Sequence, residues 1–385
     1  MYRAQLQHLA RMERCFQDIR VYARHIWPAI EPNPCIWNWH MDIVLMALQR
    51  QVEADPDYRK ILICEPPGTA KSLMVSVIQP TWEWFCRTPA RRRIFFSSSS
   101  TTATRDSRRR RNLMLSDRYQ ELLDFAERVH GMKRWKFAKD QQEKTDYENQ
   151  AMGFHQCHAL GANFTGLRGD DYTIDDPIPV DDVMAGSGPR IGERVTEANI
   201  QISTQVPNRV NDLASARSVL MMQRLHPNDP AGLALRAGGY HIINLAMEFD
   251  EEDKYNHPDD PRKTTGELLF AKKFPQVELD RLKRPPVEGG MGPLMYQGMY
   301  NQKPVIKEGS MIRRELFNMR YTSEPMMLGA TMDALWVSAD ANKKATGHDN
   351  SAIHVYGIKG ALRYLLDRIA RPMGYTTFER TMDGV

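Results

Sequence analysis

Lys71 and Ser72 stand where an apolar run, "ILIC" at 61–64, passes through "EPPGTA" into a second apolar run. A lysine beside a hydroxyl at such a strand–loop–helix junction suits a phosphate. Backbone N–H groups and a helix N-terminus converge on the anion, the lysine adds a point charge, and the hydroxyl holds Mg²⁺. Gly68, Thr69 and Ala70 would supply the backbone of that cradle. The usual pattern, G-x-x-x-x-G-K-[ST], has glycines where this chain has Glu65 and Ala70. Alone, the loop reads equally well as a surface turn capped by Ser72.

Three other places carry related chemistry. "YTI" at 172–174 runs into Asp175-Asp176-Pro177. Adjacent carboxylates at a strand end need a cation or a polar outlet. Asp175 would order Mg²⁺ through water and Asp176 would polarise an attacking water; a capped loop start is the plainer alternative. "SVLMM" at 218–222 ends in Gln223-Arg224, a pair suited to sensing a γ-phosphate, or merely a surface pair at a strand exit. Arg168, flanked by Gly166 and Gly169, is free to project as an arginine finger, or is one more loop arginine.

These residues need a sheet to hold them. The chain has 385 residues, 42% apolar and 26% charged, enough for two or three soluble, globular domains. A net charge of +4 leaves nucleic-acid contact to local patches, namely Arg91-Arg92-Arg93 and "RDSRRRR" at 105–111. Five scattered cysteines without a C-x-x-C pair suggest a reducing compartment. "HQCH" at 155–158 lacks a second ligand pair for zinc. No apolar run has membrane-spanning length and the N-terminus lacks a signal-peptide core, so the expected location is the cytoplasm.

Residues 1–30 and "WHMDIVLMALQRQVEA" have helical periodicity. Further helices are expected at 72–86, kinked or ended by Pro80, at 103–130, and within 180–215. Strands are expected at "ILIC", "RRIFFSSSS", 154–160, "YTI" and "RSVLMMQRLH". Strands alternating with helices give a mostly parallel α/β sheet. Phosphate loop, acidic strand end and Gln-Arg strand end follow in the order of a RecA-like core. The expected division is an N-terminal helical segment (1–58), a P-loop ATPase core (59–232), a small lid or linker subdomain (233–328) and a fresh set of strands (329–385).

The chain resembles the large subunit of phage terminases. The resemblance rests on "WNWHMDIVLMAL", "PPGTAKSLMVSVIQPTWEW", "FFSSSSTTATRDSRRRRNLMLSDRYQ", "TGLRGDDYTIDDP", "MMQRLHPNDPAGLAL", "YNQKPV", "EGSMIRRELF" and "VSADANKKATGHDNSAIHVYGIKGALRYLLD". It implies an ATP-hydrolysing motor that moves double-stranded viral DNA into a procapsid, using ATP and Mg²⁺. Lys71 and Ser72 would bind phosphate and Mg²⁺, Asp175 would order the metal, and Asp176 would be the catalytic acid. Gln223-Arg224 match a motif coupling hydrolysis to movement, and Trp39-His40 fall where members hold adenine. The absence of an arginine within the phosphate loop shifts the cationic role to Arg168 or to the 105–111 cluster.

The resemblance further implies an RNase H-like nuclease at the C-terminus, with Asp340 as the first of several acids holding Mg²⁺ or Mn²⁺. Neither Asp349 nor Asp367 is expected as a ligand. The remaining acids are expected beyond residue 385, so no metal-dependent cleavage is expected of this polypeptide alone. The implied partners are double-stranded DNA, a portal protein, a small terminase subunit and further copies of the chain in a ring, within the bacterial host. Two competing readings are another P-loop nucleic-acid ATPase, such as a helicase, and an ATPase-dead prophage remnant that still binds DNA or capsid components.

Overall fold

A computed structural model describes residues 2–142, 145–162, 166–180, 189–305, 324–340, 351–371 and 375–382. The chain divides into two compact units, 1–309 and 310–385. Among the described residues no helix is long and apolar enough to cross a membrane.

The first unit is built on an eight-stranded sheet. Its strands are β1 (Lys60–Cys64), β2 (Arg93–Ser97), β3 (Phe137–Gln142), β4 (Asp146–Asn149), β5 (Phe154–Ala159), β6 (Asp171–Asp175), β7 (Arg217–Met222) and β8 (His241–Asn244). Their spatial order is β3-β4-β5-β2-β6-β7-β1-β8. From β5 to β8 every pairing is parallel, and β3 and β4 add an antiparallel edge. The central strands read as unbroken apolar runs because both faces are covered. Along β1 and β7 the pleat sorts the side chains. Ile61, Ile63, Val219 and Met221 enter one core, and Leu62, Cys64, Leu220 and Met222 enter the other.

This is the α/β, mostly parallel, RecA-like arrangement expected. The strand after β1 in the chain, β2, lies three places away, with β7 and β6 between them, while β8 joins β1 on its other side. The carboxyl ends of β1, β6 and β7 therefore share one edge beside a topological switch point, where ligands bind in open α/β sheets.

Local differences from the expected elements have physical causes. The helix after the β1 loop starts at Lys71–Leu73, passes through a π turn at Met74–Ile78 and resumes at Gln79–Cys86. Pro80 offers no N–H to the preceding turn, and the buried Arg110 donates to the Ser76 carbonyl oxygen. The long helix expected over 103–130 is two, Ser100–Leu115 and Asp117–His130, with Ser116 capping the second. The polar strands β3 and β4 lack an apolar signature because they sit at the edge. β8 extends the sheet beyond the expected break after residue 232, and Leu245, Met247, Leu269, Phe270, Tyr296 and Tyr300 join the same core as the N-terminal helices.

The second unit contains an antiparallel sheet of β9 (Ala334–Asp340), β10 (Ser351–Lys359) and β11 (Leu362–Arg371), ordered β11-β10-β9. Gly360 turns β10 into β11 at a φ of 56°. Asp340 closes β9. Asp349 and the "EGSMIRRELF" stretch lie outside the described residues.

Candidate nucleotide site

The loop leaving β1 is shaped by two left-handed residues, Gly68 (φ 81°) and Ala70 (φ 70°). Ala70 immediately precedes the first helical residue, Lys71. It thus adopts the conformation that glycine supplies in the usual motif, at a cost of about 1–2 kcal/mol for a residue with a Cβ. The loop is tied from behind. The Thr69 hydroxyl reaches Glu65 Oε2 (2.8 Å) and the Pro66 carbonyl oxygen (3.0 Å). Lys273 Nζ donates to the Gly68 carbonyl oxygen (2.7 Å).

His40 Nε2 lies 3.1 Å from the Thr69 carbonyl oxygen. Asn38 Nδ2, which also donates to the Leu269 carbonyl oxygen, donates to His40 Nδ1. The ring is therefore a neutral imidazole with its proton on Nε2, and burial pushes its pKa down to about 4. His40 is wholly buried, so it braces the loop backbone from beneath. Trp39 stacks with the Arg262 guanidinium, 5.3 Å from the ring centroid. Glu65 is buried inside the loop, and burial raises its carboxyl to about 7.

The acids arrive from β6. Asp175 pairs in register with Ser97 of β2 and Met221 of β7, and Asp176 follows with a φ of 42°. The Asp176 N–H donates to the Met221 carbonyl oxygen (2.9 Å), and its Oδ1 accepts from the Gln223 N–H (3.2 Å). Its Oδ2 lies 3.5 Å from Lys71 Nζ. Burial, and then the neighbouring Asp176 charge, raise Asp175 to about 8, while Lys71 and a hydrogen bond from Ser72 act in the opposite sense. Asp175 Oδ1 and Gln223 Oε1 are buried without a hydrogen-bond partner among the described residues.

Lys71, Ser72, Asp175, Asp176 and Gln223 are thus brought together across β7. A buried acid with an orphaned oxygen, beside a second acid and a serine hydroxyl, is a donor set that fits a hard divalent cation.

Two expected residues are placed elsewhere. Arg224 is buried and held by Asp229, with Nε 2.9 and 3.1 Å from the two carboxylate oxygens; Asp229 also caps the helix Pro230–Ala237. Its guanidinium is a strut for the strand exit. Arg168 is exposed at the amino end of β6, whereas the site lies at the carboxyl end. The strand alone separates them by roughly 13 Å, at about 3.3 Å per residue.

Several arginines of the basic patches have acidic partners. Arg91 and Arg93 pair with buried Asp171 and Glu83, and Arg92 pairs with Asp170. Within "RDSRRRR", Arg110 is buried against the Phe95 ring and the Tyr147 hydroxyl. Arg105 binds Asp106, and Arg109 binds Glu31. Three residues of the site's surroundings were not anticipated as parts of it: Asn38, Asp106 and Lys273. Asp106 within an arginine run is the one signal that could have found its residue, since an acid there is a natural partner.

Strand order, phosphate-type loop and convergent acids define an α/β protein of the RecA-like P-loop class. No protein-family model matches the chain, and no curated protein does. Among solved structures it resembles the HK97 bacteriophage large terminase (TM-score 0.45, 11% identity), covering 91% of this chain and 66% of that one. It also resembles the large terminase of a thermophilic bacteriophage in complex with ADP (TM-score 0.34, 10% identity, 88% and 69% of the two chains). A third is a mutant ATPase domain of the Thermus phage P74-26 large terminase (TM-score 0.34, 12% identity, 67% and 93%).

Proposed function

We propose that the chain is the ATP-hydrolysing motor subunit of a phage DNA-packaging machine, a terminase large subunit. The observation carrying this reading is the convergence of Lys71, Ser72, Asp175, Asp176 and Gln223 from three strand ends on one edge of the sheet. The loop backbone from Gly68 to Ala70 and the Lys71 ammonium would bind the β- and γ-phosphates. Lys71 would exchange its Asp176 partner for phosphate on binding. That exchange releases the Asp176 carboxylate to accept a hydrogen bond from the attacking water and, as the bond forms, its proton. Ser72 and Asp175 would hold Mg²⁺, which neutralises charge on the β- and γ-phosphate oxygens when bound. The Gln223 carboxamide, with its unpartnered oxygen, would orient the same water.

His40 acts on the nucleotide through the Thr69 backbone. Arg168 would serve as a finger only for a nucleotide held by a neighbouring copy in a ring. Double-stranded DNA, a portal protein and a small terminase subunit are the partners this reading requires, in the host cytoplasm. Asp340 is the candidate first acid of a Mg²⁺- or Mn²⁺-dependent nuclease.

Measuring ATP hydrolysis with and without DNA tests the motor. DNA-stimulated turnover, abolished in Lys71→Ala and Asp176→Asn, supports it. ATP binding without turnover supports a non-hydrolysing, DNA- or capsid-binding protein instead.

A further inference from the structure

Behind Asp175 lies a small cavity of about 20 Å³, bounded by β2, β6 and the helix Ser100–Leu115. Its polar walls include Ser76, Ser97, Thr102, Asp106, Ser107 and Asp175. Three of its oxygens, Asp175 Oδ1, Ser97 Oγ and Ser107 Oγ, are buried without a hydrogen-bond partner among the described residues. A polar cavity of that size holds one water, and an internal water needs two to four polar partners, which these walls supply.

Asp106, on the far wall, is 5% exposed. Its two oxygens each accept from Arg105, from Nε and from the terminal nitrogen, both at 2.9 Å. A two-pronged carboxylate–guanidinium pair fixes the plane of the arginine as well as its distance. The Arg105 side chain is 51% exposed. The helix carrying it begins just after β2, whose last residue, Ser97, is in register with Asp175. The Asp106 carboxylate that holds Arg105 lines the same cavity as Asp175. Lys71 approaches the acids from the β1 loop, so the two cations come from different elements of the sheet edge.

We propose that Asp106 is a positioning residue of the nucleotide site: it shares a buried water with Asp175 and holds Arg105 beside the acid pair, where Arg105 supplies the cation that stabilises the transferring phosphoryl group. This assignment rests on the ATP-hydrolysis reading. It gives the chain a cation in cis although its phosphate loop has none beyond Lys71 and Arg224 is taken up by Asp229. It also ties the nucleotide-site acid to the exposed Arg105–Arg108 face of the helix.

The test is steady-state ATP hydrolysis and nucleotide affinity for the full chain, with Arg105→Ala, Arg105→Lys, Asp106→Asn and Asp106→Glu. Arg105→Ala should lower kcat on the order of 10²–10³-fold, as loss of one transition-state donor does, with the KM for ATP little changed. Asp106→Asn should lower kcat about tenfold, as loss of an orienting partner does, and Asp106→Glu should recover part of it. In the Arg105→Ala background, Asp106→Asn should have little further effect. A crystal structure at high resolution should show one water bridging Asp106 and Asp175.

Unchanged kcat in Asp106→Asn and Arg105→Ala, with wild-type hydrolysis intact, overturns the assignment alone, as do additive losses or a dry cavity. Loss of hydrolysis together with ATP affinity and melting temperature in Asp106→Asn assigns Asp106 to folding and also overturns it. Wild-type chain that neither binds nor hydrolyses ATP, with Lys71→Ala indistinguishable from it, removes the underlying reading as well.

Discussion

Ala70 spends conformational energy to do what glycine does at no steric cost. Its φ of 70° is unfavourable for an L-residue with a Cβ, so Ala70→Gly should raise stability. Glycine's greater unfolded-state entropy offsets part of the gain, leaving about 0.5–1 kcal/mol, read as a higher denaturant midpoint with ATP affinity retained. Gly68→Ala should act in the opposite direction. Its Cβ would sit at a φ of 81° and 3.0 Å from the Phe274 ring. Equal effects of the two substitutions would contradict this account of the loop.

Glu65 adds a pH dependence. Its folded pKa, about 7, lies above the ordinary glutamate value of 4.5 because of burial. Between those values the folded chain binds more protons than the unfolded chain, so stability falls as pH rises from about 4.5 to about 7 and then levels off. Glu65→Gln keeps an acceptor for Thr69 and removes the ionisation. It should be more stable than wild type at pH 8, by on the order of 2–3 kcal/mol, and should lose that advantage near pH 4. Thermal melts across this range check the sign.

At the scale of elements, the two ends of the strands are specialised differently. The carboxyl ends carry the candidate nucleotide-site residues. The amino ends of β2, β6 and β7 are stapled by Asp171, which accepts from Arg91 and Arg217 and pairs with Arg93 at 3.5 Å, while Glu83 takes the remaining Arg93 and Arg217 contacts. These arginines hold the Asp171 carboxyl well below the usual range despite its burial. Its stabilising contribution is present above the ordinary carboxylate pKa and is lost as pH falls through the depressed one. Asp171→Asn leaves buried guanidinium groups short of a counter-charge. It should destabilise by about 3–5 kcal/mol, measured by denaturant unfolding.

The helix Ser100–Leu115 divides its arginines by burial. Arg110 belongs to the core, whereas Arg108 lies on the exposed face with Thr101, Thr104, Arg105 and Asn112. If that face tracks DNA phosphates, Arg108→Ala should reduce the slope of log K against log salt by about 0.9. It should change folding stability by less than about 0.5 kcal/mol. An unchanged slope would remove Arg108 from the DNA surface.

For the whole molecule, the placement of every candidate nucleotide-site residue within 1–309 has a direct consequence. That unit contains the complete eight-stranded sheet and both cores around it. A chain of residues 1–309 should fold cooperatively and bind ATP with the affinity of the full chain, as calorimetric titration would show. Weakened binding would mean that residues 310–385 contribute to the site.

The expected elements were legible where their signature is local. "ILIC", "RIFF" and "SVLMM" are apolar because parallel strands are covered on both faces, and Lys71-Ser72 and Asp175-Asp176 lie immediately beyond strand ends. Those patterns establish an α/β chain with a phosphate-type loop and an acidic strand end. The polar edge strands β3 and β4, and the four-residue β8, carry too little apolar patterning to be read the same way. Only the tertiary structure decided that β7 lies between β1 and β6, bringing Lys71 within 3.5 Å of Asp176. The fate of the arginines was decided there too: Arg93 faces Glu83 and Asp171, Arg224 faces Asp229, Arg105 faces Asp106, and Arg168 points from the opposite edge. Strand order and charge pairing depend on contacts between residues far apart in the chain, for which local composition carries no signal.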